Sequence, residues 1–323
     1  MKNNTNKLIY FEEYIPINGI SQYLFHCGTD YKNPVLLILH GGPGSAESIF
    51  SYTFQEKWEN IFTVVHWDQR GAGKTLTENP DEDTFPTTEI LLNDLKEICD
   101  YLKKKYNKKK IILLGHSWGS ILGSLYIQSH PEDIEYYIGV GQVVDMLENE
   151  KVAYDKTKEA ILKANNKHDL KKLNSLGEYP GEKLDLTSTK TIRKFRKIQA
   201  KYNLAININF SLIKNFIKSP IFQLSDVKAY LNSYNANKSI YKFLENFTLY
   251  SKPLKYEVPI FYILGDNDWQ TPYNIASKYF NKIDAPYKKL YVIPNAGHMT
   301  MMDEPELFFE ALSDINTNSL IKK

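Results

Sequence analysis

Apolar and polar positions fall into two patterns that alternate along the chain. Short, nearly unbroken apolar runs occur at Val35–Leu39, Ile61–Trp67, Ile111–Leu114, Ile134–Val140, Pro259–Leu264 and Leu290–Pro294. Runs of this kind predict strands buried on both faces of a sheet. Between them lie segments with apolar residues at helical spacing, such as Leu91, Leu95, Ile98 and Leu102 within 87–106. Further helices are predicted over 45–58, over 118–130 up to Pro131, after Pro272, and over 304–314. At the start, Leu8–Ile17 and Tyr23–Cys27 flank Asn18-Gly19, which predicts a hairpin. Strands alternating with helices at this spacing predict an α/β fold: a mostly parallel central sheet with helices on both faces. From Val143 the strand signals fade, and helices are predicted over 151–165, 189–202 and 225–232, punctuated by Gly177, Pro180, Gly181 and Pro220. The expected organisation is a core formed by 1–142 and 256–323, with an all-helical insertion over 143–255.

Charge reinforces that division. Residues 143–255 carry 21 Lys+Arg against 11 Asp+Glu, a local excess of basic groups in a chain whose net charge is only +2. A global balance so near neutral gives no field that would point to nucleic acid or a membrane surface as partner. The start is polar, with no apolar segment of the kind a secretory signal or a membrane span needs. The two cysteines, Cys27 and Cys99, are too few for a disulfide framework and are expected as free thiols in a cytoplasmic protein.

Candidate chemistry sits at the ends of the predicted strands. Ile111–Leu114 runs into Gly115-His116-Ser117-Trp118-Gly119, and a helix follows. A strand that turns sharply into a helix needs small residues on either side of the turn, and the turn presents the serine hydroxyl at the positive end of the helix. A serine becomes nucleophilic when a histidine takes its proton, and the histidine needs an acid to fix its tautomer. His298 follows the last strand in Asn295-Ala296-Gly297-His298. The acid is Asp268 or Asp266 in Gly265-Asp266-Asn267-Asp268, with Asp268 preferred because it lies three residues past the glycine that ends the strand. His116 is expected to pack rather than to act. His40-Gly41-Gly42-Pro43-Gly44 follows the third strand. Backbone N–H groups of Gly42 and Trp118 are the expected oxyanion donors. The remaining histidines show no metal-ligand spacing, so neither metal nor cofactor is expected.

Four blocks resemble the prolyl aminopeptidases (proline iminopeptidases), serine peptidases of the α/β-hydrolase fold. They are His40-Gly-Gly-Pro-Gly44, Trp67-Asp-Gln-Arg-Gly-Ala-Gly-Lys74, Gly115-His-Ser-Trp-Gly-Ser120, and Ala296-Gly-His298 after Gly265-Asp-Asn-Asp268. The Trp-Asp-Gln-Arg stretch is the most specific. The resemblance covers about two thirds of the chain and fades over 143–255. It implies an α/β-hydrolase fold with an inserted all-helical cap, and release of an N-terminal residue, typically proline, from a peptide. It carries over Ser117, Asp268, His298, Gly42 and Trp118. In the family, cap carboxylates bind the free amine of the substrate, often beside a tryptophan. This chain has no tryptophan between Trp118 and Trp269, and Thr75 stands where the family usually has serine. Glu245 and Asp226 are the candidate amine-binding acids, with pairing to a lysine as the alternative for each.

Three functions follow in order. The first is an aminopeptidase acting on N-terminal proline or another small apolar residue through an acyl-enzyme. The second is a carboxylesterase or other acyl hydrolase on the same residues. The third is a hydrolase-fold binding protein without activity. The expected partner is a peptide or small-molecule substrate. The sequence leaves the oligomeric state open.

Overall fold

A computed structural model describes residues 9–186, 189–206 and 210–319. The polar start and Leu8, expected in the first strand, lie outside the described residues. Eight strands form one sheet: β1 (Ile9–Ile17), β2 (Ile20–Gly28), β3 (Val35–Leu39), β4 (Thr63–Asp68), β5 (Ile111–His116), β6 (Ile134–Val140), β7 (Ile260–Gly265) and β8 (Lys288–Ile293). Their order across the sheet is β1-β2-β4-β3-β5-β6-β7-β8. The hairpin β1–β2 is antiparallel and pairs antiparallel with β4, while β4 through β8 run parallel. The hairpin turn is the expected one: Asn18 (φ 44°) and Gly19 (φ 83°) both take positive φ, as a two-residue turn matched to strand twist requires.

The apolar runs divide residue by residue between the two faces of the sheet. Leu37 and Leu39 of β3, with Ile111 and Leu113 of β5, pack on one face. Leu36, Ile38, Ile112 and Leu114 pack on the other. This two-residue period, with both sides covered, is why these strands show no hydrophobic-polar alternation. The helices are α1 (Gly73–Glu78), α2 (Thr88–Lys105), α3 (Trp118–Ser129), α4 (Met146–Lys163), α5 (Lys167–Asn174), α6 (Thr189–Lys201), α7 (Phe210–Lys218), α8 (Leu224–Ala236), α9 (Lys238–Leu244), α10 (Tyr273–Lys282), α11 (Thr300–Asp303) and α12 (Pro305–Ser319). Helices α2, α3 and α10 cover the first face with Leu91, Leu95, Ile121, Leu122 and Ile275. Helix α12 covers the second with Phe308, Leu312 and Ile315. Among the described residues, the chain between β6 and β7 forms no strand, only the helices α4 to α9 and short turns. Helices α4, α5 and α6 enclose a small apolar cluster of their own around Ile161, Leu173 and Phe195.

Three local expectations need correction. The helix predicted over 45–58 is two separate 3₁₀ turns, Ser48–Thr53 and Trp58–Asn60. Its polar side chains make tertiary bonds: Glu47 to Gly41, Ser48 to Asp68 and Gln55 to His66. Those bonds hold the backbone where a continuous helix cannot go. The stretch just after β4, for which no helix is predicted above, contains α1. The helix expected from Lys151 starts at Met146, because the Asp145 side chain accepts the Glu148 N–H and caps it. Cys27 and Cys99 are buried free thiols. Among the described residues, no helix is long and apolar enough to cross a membrane.

Candidate active site

Ser117 stands between the end of β5 and the start of α3 at φ 53°, ψ −118°. That left-handed conformation costs a non-glycine residue about 1–3 kcal/mol and persists only where the surroundings impose it. Three bonds impose it here. The Ser117 N–H donates to the Val140 carbonyl at 3.0 Å, and the Ser117 carbonyl accepts both the N–H and the hydroxyl of Ser120. Two close approaches complete the turn. A Cβ at Gly119 would lie 1.9 Å from the Leu39 carbonyl oxygen, and one at Gly115 would lie 2.5 Å from the Gly119 carbonyl oxygen. The neighbours in both cases are backbone, which cannot rotate away. Gly119→Ala is therefore expected to destabilise the fold by roughly 4 kcal/mol or more, the range in which a single change is exceptional. Urea unfolding of the variant, or its failure to accumulate as folded protein, checks this.

The three distant side chains meet. The Ser117 hydroxyl lies 2.9 Å from His298 Nε2, and His298 Nδ1 lies 2.9 Å from Asp268 Oδ2. An acid at Nδ1 fixes the proton there and leaves Nε2 as acceptor for the serine O–H. Asp268 also accepts the N–H groups of Gln270 and Thr271 on Oδ1 and the Thr271 hydroxyl on Oδ2. Burial alone would raise the Asp268 carboxyl, but His298 and Thr271 hold it below the ordinary carboxylate range. Asp266, the other candidate, accepts the Asn295 N–H and so ties the loops after β7 and β8 together instead. Among the described residues, neither the Gly42 N–H nor the Trp118 N–H has a protein acceptor.

Asp226 and Glu245 are both buried and both engaged. Asp226 faces Lys74 Nζ at 3.4 Å and accepts the Gln223 N–H, closing the capping box of α8. Glu245 accepts the Leu186 N–H at 3.1 Å and pairs with Lys242 Nζ at 2.5 Å. His298 lines a cleft of about 580 Å³, together with Asn203, Leu204, Asn267, Asn295 and Met299. Among the described residues on that wall, the one ionisable group besides His298 is Asp303, which accepts the Gly297 N–H.

The sequence marked the Trp67-Asp-Gln-Arg block without revealing its task, and the structure supplies a partner for each side chain. Trp67 Nε1–H donates to Gln22. Asp68 accepts the Ser48 hydroxyl and the Lys74 N–H, and burial pushes its carboxyl up to about 6. Gln69 accepts the Trp118 indole N–H at 2.9 Å and donates to the His40 carbonyl, and its own N–H donates to His40 Nε2. Arg70 makes a paired bond to Asp94, buried at both ends. Gln69 and His40 thus join the residue after Ser117 to the loop carrying Gly42. Their side chains lie 49 and 29 positions from those partners, a separation with no local signature. His116, expected to pack, instead has both ring nitrogens hydrogen-bonded.

Comparison with known proteins agrees with this architecture. A protein-family profile described as alpha/beta hydrolase fold matches residues 34–305. A Bacillus subtilis (strain 168) protein named probable aminopeptidase YbaC is 28% identical over 310 residues, covering 95% of this chain and 96% of its own length. A probable proline iminopeptidase of Streptomyces coelicolor is 35% identical over 117 residues, 35% of this chain and 34% of that protein. Among solved structures, the proline iminopeptidase of Mycobacterium smegmatis superposes with a TM-score of 0.68 at 18% identity, covering 96% of this chain and 98% of that one.

Proposed function

This chain belongs to the alpha/beta hydrolase fold family, and from that premise we propose that it is a serine hydrolase, an aminopeptidase that releases N-terminal proline or another small apolar residue from peptides. One observation carries the proposal: the unbroken hydrogen-bonded line from Asp268 through His298 to the Ser117 hydroxyl. In the proposed reaction His298 Nε2 takes the Ser117 proton as Oγ attacks the carbonyl carbon. Asp268 stabilises the imidazolium that forms. Gly42 and Trp118 N–H groups receive the oxyanion. The imidazolium returns its proton to the leaving amine, and water repeats the attack on the acyl-enzyme.

The proposal includes a helical cap, residues 143–255, lying over a core formed by 1–142 and 256–323. Its support is a set of bonds from the helical stretch to the loops at the site. Gln199 of α6 donates to the Trp269 carbonyl, the Ile206 N–H donates to Gln270, Asn237 donates to the Gly71 carbonyl, and the Tyr241 hydroxyl donates to the Pro43 carbonyl. A cytoplasmic setting is also part of the proposal; two buried thiols left free fit a reducing compartment.

A second reading has its own observation. An ammonium bound at Asp226 would have to displace Lys74, and one at Glu245 would have to displace Lys242. With both acids engaged, an acyl hydrolase that ignores the amine, such as a carboxylesterase, is the runner-up. Prolyl arylamide, its N-acetyl derivative and a short acyl ester separate the two. An aminopeptidase is expected to lose at least ~100-fold in kcat/KM on acetylation, because a site built to bind a free amine rejects the analogue that lacks it. Equal turnover of both amides, or ester cleavage alone, rejects the peptidase reading in favour of the esterase.

A further inference from the structure

A second histidine stands directly behind the first. The rings of His116 and His298 are 5.0 Å apart, centroid to centroid. His116 Nδ1 lies 2.5 Å from Glu47 Oε1, and its Nε2 lies 2.9 Å from the His298 carbonyl oxygen. Two acceptors call for two N–H donors, so beside an ionised Glu47 the ring is an imidazolium. The titration directions agree with the geometry. Burial disfavours both charges, yet mutual attraction holds Glu47 below the ordinary carboxylate range and His116 above the ordinary imidazole range.

The same Glu47 Oε1 accepts the Gly41 N–H at 3.0 Å. One buried pair therefore touches three loops: the one after β3, through Gly41; the serine turn, through His116; and the one after β8, through the His298 carbonyl. Fit at the junction is close, since a Cβ at Gly41 would lie 3.2 Å from both Glu47 Oε1 and Ser117 Cβ. Because Gly41 gives its N–H to Glu47, of these two adjacent glycines it is Gly42 whose amide is left without a protein acceptor among the described residues. Stability is a poor reason for the arrangement. Desolvation of a buried pair offsets most of its attraction, and Glu47 Oε2 has no hydrogen-bond partner.

We propose that Glu47 and His116 are positioning residues for hydrolysis, holding the oxyanion loop, the nucleophile turn and the general-base loop in one register. The proposal rests on the serine-hydrolase reading above. Its consequence is specific to the transition state, because the register aims Gly42 and Trp118 N–H groups at an oxygen that becomes charged only during attack.

Glu47→Gln tests it. Glutamine keeps a carbonyl oxygen for the Gly41 N–H and removes the charge. Assayed well below its melting temperature, the variant is expected to lose roughly 30-fold or more in kcat while KM changes by less than about 3-fold. Labelling of Ser117 by a fluorophosphonate should slow in parallel, since that adduct uses the same donors. His116→Gln should behave alike, and the double variant should lose little more than either single one, as expected of groups acting as a unit. A folded Glu47→Gln with kcat within about 3-fold of wild type, a change in KM alone, or fully additive losses would overturn the proposal. Collapse of both single variants would also overturn it, making the pair a folding element. Ser117→Ala run alongside separates the two levels. If it stays active, the serine reading fails. If it is dead while Glu47→Gln is unimpaired, only the positioning role fails.

Discussion

Ser117→Ala is expected to lower turnover of a prolyl arylamide by a factor on the order of 10⁵–10⁶, the loss typical when the nucleophile of such a constellation is removed. Among the described residues, three neighbouring hydroxyls are already engaged elsewhere. Ser120 donates to the Ser117 carbonyl, Thr271 to Asp268, and Thr300 to the Gly297 carbonyl. The fold should survive, because alanine occupies the strained φ of 53° at much the same cost as serine. The bonds that impose the turn run through the Ser117 backbone rather than its side chain. Intact-protein mass after fluorophosphonate treatment gives a second readout, with one adduct on the wild type and none on the variant. Residual turnover within 100-fold of wild type, in a variant of unchanged melting temperature, would sink the assignment of Ser117.

Asp268→Asn is expected to cost about 10⁴-fold in kcat with little change in KM. The carboxylate now receives three N–H or O–H donors from Gln270 and Thr271 besides His298. An asparagine keeps Oδ1 for the two backbone donors but turns an NH₂ toward the ring. His298 must then present a bare Nδ1 and carry its proton on Nε2, facing Ser117 with a donor instead of an acceptor. The loss comes from the tautomer, so geometry and substrate binding should be nearly unchanged. Asp266→Asn is the matched control. Its carboxylate bonds Asn295, not His298, and it should retain kcat. If the two variants lose equally, the acid has been misassigned.

The strands and their faces were legible because their cause is local. A strand buried on both sides must be apolar at nearly every position, as β3 is throughout and as β4 to β7 are apart from Thr63, His66, Asp68, His116 and Glu135. The turn at Ser117 was legible for the same reason: only glycines tolerate the backbone contacts that Gly115 and Gly119 make. Chain order at strand ends brought out His298 and Asp268. The segment at 45–58 misled, because its amphipathic spacing competes with bonds to Gly41, Asp68 and His66 that no periodicity reveals. For Asp226 and Glu245, pairing with a lysine was the alternative reading, and the structure shows a lysine beside each: Lys242 lies three positions from Glu245, but Lys74, the partner of Asp226, is 152 residues away and no local signal names it.

The chain by itself determined an eight-stranded core bracketing a helical stretch, and singled out the candidate residues at the strand ends, since each of these signals depends on neighbours within a few positions. Tertiary structure alone decided the partners of those residues. It set Asp268 rather than Asp266 against His298, placed His116 against the buried carboxylate of Glu47, and engaged Asp226 with a lysine. Each outcome depends on which loop ends the folded sheet places side by side, and a linear pattern carries periodicity but not that proximity.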